Sequence, residues 1–299
     1  MDLIFTTLKG TSMKIITLFI TLMLAGCSVT YTTESFVYQD DKPEKELNIG
    51  KIQMELVEAE ISAVVNTVSL STQDGIELRG VKLINKNALV NIVFFSANGM
   101  KISSSSKILN KFSLLPANVI WFDYRGMGIS DKNDKLSVKN LQLDGLSVFD
   151  FSKNEFPKNL PVLIHGLSMG SIIASYVANN RETDALILDG AISTIPQLVE
   201  NAAPTWSKLF YSINLSTELS KINNMELIKK YNKPLLLLIG ENDSTTPVEN
   251  SKALLDLSPS EAKVLAIIPK TEHGETMKKD KGIRAYQDFI NNLVCCTSE

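Results

Sequence analysis

The sequence predicts an α/β protein with a doubly wound, mostly parallel sheet. Mostly apolar runs, each about the length of one strand, occur at residues 89–95, 118–124 and 234–239. Such runs are typical of strands buried on both faces, and the helical patterns between them favour a parallel sheet. A third observation is a serine between two glycines, placed where a buried strand meets a helix.

Composition limits the classes of partner. The chain has 299 residues, 44% of them hydrophobic, which is enough for one large domain, predicted over residues 61–299. The net charge is −3 and no basic block is present, so nucleic acid is not an expected partner. The cysteines, Cys27, Cys295 and Cys296, lack metal-ligand spacing. We expect no metal or other cofactor and assign no role to Cys295 and Cys296.

The predicted domain opens with an antiparallel hairpin and continues as alternating strands and helices. Strands are predicted at residues 61–70, 76–84, 89–95, 118–124, 161–165, 185–188, 234–239 and 263–268. Helices are predicted at residues 101–115, 138–151 and 282–293.

Residues 192–232 are predicted as a small helical lid insertion over the carboxyl edge of the sheet. The stretch has about forty residues, whereas a plain crossover needs only about a dozen. An extended crossover helix is the alternative. The aromatic residues Trp206, Phe210 and Tyr211 are consistent with acyl or aromatic groups as ligands.

The N-terminus carries a targeting pattern. Lys14 precedes an apolar stretch at residues 15–24, which is shorter than the roughly 20 residues that span a bilayer. Small residues follow, so the stretch fits a secretory signal peptide. The sequence Leu-Ala-Gly-Cys ending at Cys27 resembles a bacterial lipobox, which implies a signal peptide over residues 1–26 and a diacylglyceryl group on the cysteine. The alternative is an ordinary signal peptide or an anchor helix, and Met1 and Met13 are both possible starts.

Residues 27–60 are predicted as a lipid-anchored tether because residues 29–48 are mostly polar. A short ordered part is expected where Phe36, Val37 and Tyr38 could pack on the domain. By the same resemblance, Ser28 after the cysteine implies retention in the outer membrane of a Gram-negative source. We therefore expect a membrane-attached protein of the bacterial envelope that faces the periplasm.

The serine between two glycines is Ser168, in a turn that runs from Gly166 to Gly170. An apolar run leads into the turn and a helical pattern follows it. A turn this tight strains the serine backbone and leaves no room for a Cβ at the glycines. It also places the hydroxyl beside the N–H groups of the helix N-terminus. Ser168 is therefore the candidate nucleophile, with a plain helix N-cap as the alternative.

A serine hydroxyl needs a base, and the base needs a carboxylate to orient it. Asp243 follows the strand predicted at residues 234–239, and His273 follows the strand at 263–268. Both therefore lie at the carboxyl edge, where Ser168 is expected. The order serine, aspartate, histidine is that of one known class of catalytic triad.

Other residues compete for these roles. Asp189 ends the preceding predicted strand and is the main alternative acid, and Glu241 is a weaker one. The second histidine, His165, lies inside the strand before the turn. We interpret it as a packed core imidazole, because the turn directs it away from Ser168.

Residues 68–293 resemble the α/β-hydrolase superfamily. The resemblance rests on the turn at Ser168, on the Asp243 and His273 loops, and on residues 123–130, Asp-Tyr-Arg-Gly-Met-Gly-Ile-Ser. This last segment is similar to that of the BEM46-like, monoglyceride-lipase-like and serine aminopeptidase-like branch. The resemblance implies that Ser168 is the nucleophile, Asp243 the acid and His273 the base. We interpret residues 123–130 as structural, held by an ion pair of Arg125.

The oxyanion hole departs from the family pattern. One donor is expected to be the backbone N–H of Met169, the residue after the nucleophile. The other comes from the loop after the first buried strand, where the family usually has His-Gly. Here Ser96 and Ala97 occupy those places, and Asn98 stands at the donor position.

The sequence thus predicts a serine hydrolase that cleaves carboxylic esters through an acyl-enzyme. The partner is a small-molecule acyl ester or amide, and the oligomeric state is not specified. The alternatives are a serine aminopeptidase or amidase, and an envelope lipoprotein that binds a ligand without turnover.

Overall fold

The structure is a computed structural model. It describes residues 27–44, 46–58, 63–132, 135–202 and 211–296. The predicted signal peptide, Trp206 and Phe210 lie outside the described residues.

Eight strands form one sheet in the order β10-β9-β7-β6-β4-β5-β3-β2. The strands are β1 (Cys27–Tyr31), β2 (Ala63–Ser71), β3 (Glu77–Asn85), β4 (Val90–Phe95), β5 (Ala117–Phe122), β6 (Val162–Leu167), β7 (Ala185–Asp189), β8 (Tyr211–Leu215), β9 (Leu235–Gly240) and β10 (Lys263–Ile268). Strand β3 is antiparallel to β2 and to β5, and the other neighbours are parallel. The predicted fold class is confirmed.

Helices cover both faces of this sheet. They are α1 (Thr33–Phe36), α2 (Ile49–Glu58), α3 (Ile102–Ser105), α4 (Ile108–Phe112), α5 (Val138–Glu155), α6 (Met169–Asn180), α7 (Ile195–Ala202), α8 (Thr217–Ser220), α9 (Asn224–Ile228), α10 (Val248–Leu257) and α11 (Asp280–Cys296). None of the described helices combines the length and the apolar character that crossing a membrane requires.

Alternation along the buried strands produces two apolar layers. In β4, Val93 and Phe95 contribute to the layer under α5 and α6, whereas Ile92 and Phe94 contribute to the layer under α2, α4 and α11. Successive side chains of a strand point to opposite faces, so a continuous apolar run supplies both layers.

The prediction of one helix over residues 101–115 is wrong in one respect. The structure has two short helices there, α3 and α4, which are separated at Ser106 and Lys107. Four consecutive serines, residues 103–106, occupy this stretch. Serine hydroxyls compete for backbone hydrogen bonds, which disfavours a helix interior.

The segment predicted as a tether, residues 27–60, packs on the domain over its described part, which includes the short ordered part expected at residues 36–38. Val37 is buried in one apolar layer, and Ile52 and Leu56 of α2 are buried in the other. Two charged residues between them, Asp40 and Glu44, are also attached to the domain, because both form ion pairs with Lys101.

The insertion at residues 192–232 contains α7, α8 and α9, as predicted, but it also contains strand β8. This strand pairs in parallel with β1 from Cys27↔Tyr211 to Tyr31↔Leu215. The purely helical prediction is therefore wrong. In the described chain, the only partner strand of β8 is β1. Strand β1 lies in the segment that was predicted to be a tether, so the prediction did not include this pairing.

The loop at residues 123–130 is structural, as the sequence indicated. The Asp123 carboxylate accepts hydrogen bonds from the N–H groups of Ile102 (2.9 Å) and Ile129 (3.2 Å). Arg125 is 1% exposed and forms ion pairs with Asp144 at 2.5 Å and Asp74 at 2.8 Å. The predicted ion pair of Arg125 is confirmed.

We predict that Arg125→Met lowers the free energy of unfolding by about 3–5 kcal/mol, because it leaves the buried Asp144 carboxylate without its partner. Arg181→Met is the matched control, since the Arg181–Asp150 pair is largely exposed and exposed pairs contribute about 0–1 kcal/mol. Urea denaturation measures both. Equal losses in the two variants would contradict the structural role of Arg125.

Candidate active site

The turn between β6 and α6 holds Ser168 in a strained conformation. Its φ is 52° and its ψ is −116°. A Cβ on Gly166 would overlap the carbonyl oxygen of Gly170, and a Cβ on Gly170 would overlap that of Phe95. The Ser168 N–H donates to the carbonyl of Asp189 over 2.9 Å. The predicted turn is confirmed, with both glycines at points of close backbone approach.

His273, in the loop after β10, joins this serine to a carboxylate. Its Nε2 lies 2.8 Å from Ser168 Oγ, and its Nδ1 lies 2.7 Å from Asp243 Oδ2. An ionised carboxylate only accepts hydrogen bonds, so Nδ1 carries the proton and Nε2 accepts from the serine hydroxyl. The imidazole ring packs closely on Gly190, because a Cβ at that position would lie only 3.0 Å from His273 Cε1.

The Asp243 carboxylate is fixed by its own loop. Its Oδ1 accepts from the N–H groups of Thr245 (2.9 Å) and Thr246 (2.8 Å), and its Oδ2 accepts from the Thr246 hydroxyl (2.9 Å). Burial raises the pKa of Asp243, but hydrogen bonds from His273 and Thr246 outweigh burial, so the pKa is below its usual value. Asp243 is therefore ionised at neutral pH and oriented toward the imidazole.

The alternative acids lie elsewhere. Asp189 accepts a short hydrogen bond from the Thr276 hydroxyl and lies 4.0 Å from His165. Burial raises its pKa to about 7. The Glu241 carboxylate accepts from the Lys270 N–H (3.0 Å) and is exposed. Of the three candidate acids, Asp243 is therefore the one whose carboxylate contacts His273. Asp189 and Glu241 bind other groups.

His165 is a packed core imidazole, as interpreted from the sequence. Its ring makes edge contacts with the rings of Phe94, Phe112 and Tyr286. Burial lowers its pKa to about 3, so the ring is neutral. Its ring packs among residues of the apolar layer under α4 and α11, and the histidine that contacts Ser168 is His273.

Both predicted oxyanion donors line the cavity that contains Ser168. Met169 begins α6, and the first N–H groups of a helix have no partners within it. Asn98 lies in the loop after β4 and lines the same cavity as Ser168 and Met169. The Tyr124 hydroxyl fixes this loop by donating to the Ser96 carbonyl over 2.9 Å. The Asn98 side chain bonds elsewhere, to the backbone of Phe36 and Tyr38.

A cavity of about 420 Å³ opens beside Ser168. Most of its lining is apolar and comes from the insertion and the N-terminal segment, namely Tyr31, Phe36, Ile192, Leu198, Val199 and Ile213. Sequence reasoning missed the N-terminal contribution, for which the aromatic residues between positions 31 and 38 were the available signal. The predicted lid aromatics Trp206 and Phe210 lie outside the described residues, so their relation to the cavity stays a prediction.

No group of three potential metal ligands occurs in the part of the chain that the structure describes. Cys295 is exposed and has a free thiol.

Comparison with known proteins identifies the fold. Residues 90–224 match the family model described as serine aminopeptidase, S33. The esterase Pf2001 of Pyrococcus furiosus superposes with a TM-score of 0.65 and 17% identity, over 85% of this chain and 99% of that chain. The chain has the α/β-hydrolase fold. Its sheet order and the strained serine turn after a central strand agree with that fold.

Similar proteins include some with and some without a named activity. The chain is 31% identical to the lysophosphatidylserine lipase ABHD12 of Macaca fascicularis over 159 residues, 49% of this chain and 39% of the lipase. The chain thus matches well under half the length of that lipase. It is 22% identical to the uncharacterized protein YfhR of Salmonella typhi, over 96% of this chain and 97% of that protein.

We predict that Gly170→Ala lowers the free energy of unfolding by about 2–3 kcal/mol, because the added methyl meets the Phe95 carbonyl in a packed turn. Gly50→Ala in α2 is the control. Its Cβ would lie 3.6 Å from Asn48 Oδ1, an ordinary contact, so we expect no loss and a gain of up to about 1 kcal/mol. Thermal or urea unfolding measures both, and a neutral Gly170→Ala would contradict the close approach.

Proposed function

We propose that this α/β hydrolase is a serine hydrolase that cleaves carboxylic esters. The observation that carries the proposal is the continuous hydrogen-bond chain from Ser168 Oγ to His273 Nε2 (2.8 Å) and from His273 Nδ1 to Asp243 Oδ2 (2.7 Å). Nucleophile, base and orienting carboxylate are then already aligned before substrate binds.

The chemistry follows from this alignment. His273 Nε2 removes the hydroxyl proton as Ser168 Oγ attacks the acyl carbonyl, and Asp243 stabilises the imidazolium that forms. The N–H groups of Met169 and Asn98 bind the tetrahedral oxyanion. His273 then protonates the leaving alcohol, which leaves an acyl-enzyme on Ser168. A water molecule, deprotonated by the same imidazole, releases the acid and restores the serine.

The unusual loop at Ser96 and Ala97 affects the second oxyanion donor. Loss of one such donor costs about 3–4 kcal/mol of transition-state stabilisation. The Tyr124 hydroxyl and the Asn98 side chain hold the loop in place in this structure. We therefore propose that the backbone N–H of Asn98 serves as the second donor without the usual His-Gly pair.

Two observations favour an ester with an apolar acyl group. The cavity at Ser168 has a mostly apolar lining, which binds a hydrocarbon chain better than a charged peptide terminus. The names of the similar lipase and of the structurally similar esterase also indicate ester cleavage. The description of the matching family model, serine aminopeptidase, makes an amide the second candidate.

A fluorophosphonate probe tests the serine hydrolase. Such probes phosphonylate an activated serine, so the folded protein should label, and Ser168→Ala should abolish labelling. Ser175→Ala is the matched control. Ser175 is buried on the same helix, and its hydroxyl has no hydrogen-bond partner in the described chain. Absence of labelling of the folded parent would favour the binding lipoprotein instead.

The assignment of the acid predicts different effects for two buried aspartates. Asp243→Asn should lower kcat for a p-nitrophenyl ester by about 10⁴-fold, because the amide favours the wrong imidazole tautomer. Asp189→Asn should stay within about tenfold of the parent, because Asp189 contacts Thr276 and not His273. Steady-state kinetics at pH 8 measure both. The reverse order of losses would assign the acid to Asp189.

We also propose that the protein is anchored to the bacterial envelope through a lipid on Cys27. The support is the Leu-Ala-Gly-Cys pattern after an apolar run, together with the position of β1, which begins at Cys27 and continues through the exposed residues Ser28 to Thr30. By the resemblance to lipoproteins, the outer membrane is the proposed site in a Gram-negative source.

Fractionation of a bacterial host tests the anchor. Cys27→Ser should move the protein from the membrane pellet to the soluble fraction, because the thiol is the proposed lipid acceptor. Cys295→Ser, at an exposed free cysteine, should leave the distribution as in the parent. Unchanged membrane association of Cys27→Ser would contradict the lipid anchor.

A further inference from the structure

The N-terminal strap, which we define as residues 27–44, crosses the site between the insertion and the catalytic loops. Its strand β1 pairs with β8 of the insertion over five residue pairs. The helix α1 follows, with Thr32 as its N-cap, and residues 37–44 then run along the loop at residues 123–130. The strap therefore spans from one side of the cavity to the other.

The insertion side holds the strap by more than the strand pair. The Ser216 N–H donates to the Tyr31 carbonyl over 2.9 Å, and the Thr33 hydroxyl donates to the Glu218 carboxylate over 3.0 Å. These bonds lie on either side of the turn from β1 into α1, so they fix Tyr31 and the start of α1 relative to the insertion.

The catalytic side holds the strap through Asn98. Its amide Nδ2 donates to the Phe36 carbonyl over 2.9 Å, and its Oδ1 accepts from the Tyr38 N–H over 2.8 Å. Asn98 thus uses its whole side chain on the strap, and it lines the same cavity as Ser168. The loop of the proposed oxyanion donor and the strap are therefore held together.

A charged clamp fixes the far end of the strap. Lys101 Nζ lies 2.9 Å from a carboxylate oxygen of Asp40 and 2.9 Å from one of Glu44. The other Asp40 oxygen accepts from the Gly128 N–H over 2.8 Å, and the Asp40 N–H donates to the Gly126 carbonyl over 2.8 Å. The loop at residues 123–130, which sequence reasoning took only as structural, is the platform for this clamp.

The strap places two aromatic rings at the cavity. Tyr31 and Phe36 both line it together with Ser168. Phe36 also packs on the main apolar layer and on the cluster of Ile192, Ile195 and Leu219 beside the insertion. The rings therefore form one wall of the space next to the serine, and the insertion forms the other.

From this placement we infer that the N-terminal strap is part of the acyl-binding site, with Tyr31 and Phe36 as the residues that select medium-length hydrocarbon acyl groups. This inference rests on the proposed ester hydrolysis and extends it to the substrate class. A longer acyl chain offers more apolar surface than an acetyl group for contact with the aromatic wall.

The test compares kcat/KM for p-nitrophenyl octanoate and p-nitrophenyl acetate and uses their ratio. Phe36→Ala and Tyr31→Ala should each lower the octanoate-to-acetate ratio about tenfold, the scale that a lost apolar contact in a pocket produces. Phe36→Leu, which keeps an apolar contact, should restore most of the ratio. Val29→Ala is the control, because Val29 is 47% exposed on the same strand and does not line the cavity.

A second pair of variants acts on the clamp and leaves the cavity lining intact. Lys101→Met should also lower the ratio, because it releases Asp40 and Glu44. Lys82→Met should not, since the comparably exposed Lys82–Glu155 pair lies outside the strap. This pair decides the matter if the variant at Phe36 fails to fold, as judged by circular dichroism.

The outcomes separate the two proposals. A parent that labels with fluorophosphonate, but whose ratio is unchanged in Tyr31→Ala, Phe36→Ala and Lys101→Met, overturns the acyl-binding role of the strap and leaves the serine hydrolase standing. A folded parent that neither labels nor turns over either ester overturns the serine hydrolase and the strap role with it.

Discussion

The site depends on one strained residue. Ser168 has a positive φ, which residues other than glycine rarely adopt, and this backbone conformation costs of order 1–3 kcal/mol. The surroundings hold it there, since the absent Cβ atoms of Gly166 and Gly170 let β6, α6 and the strand carrying Phe95 approach one another. The Ser168 N–H bond to Asp189 adds a link to the next strand. The strain directs the hydroxyl at His273, so the remaining site residues need only lie at the same sheet edge.

The surroundings of Asp189 and Asp243, at the carboxyl edge of the sheet, give the two carboxyl groups different pKa values. Asp189 is fully enclosed by the core and has one hydroxyl donor, so burial raises its pKa to about 7. Asp243 sits in a turn with several donors, so its hydrogen bonds to His273 and Thr246 outweigh burial, and its pKa falls. Asp189 is the last residue of β7, and Asp243 follows β9 at the same edge of the sheet. Asp243, whose pKa is lowered, is the one that contacts the imidazole, and a supporting carboxylate must be ionised.

Local patterns were enough to predict the parallel sheet, the serine turn and the loops of Asp243 and His273, because apolar runs and glycine positions report on backbone geometry directly. The pairing of β1 with β8 could not be predicted in this way. Strand pairing between positions 27 and 215 is set by tertiary contacts, and a polar segment with few aromatics has the composition of a linker. For the same reason the cavity wall at Tyr31 and Phe36 was missed.

We propose that Ser168 becomes acylated during turnover. Rapid acid quench of the parent protein mixed with excess p-nitrophenyl octanoate, followed by proteolysis and mass spectrometry, detects such an acyl-enzyme. Since His273 and Asp243 are already aligned with the serine, we expect a single octanoyl group on the peptide that contains Ser168 and a burst of p-nitrophenol of matching amplitude. An octanoyl group on another residue, or turnover with no acylated peptide and no burst at any quench time, would contradict it.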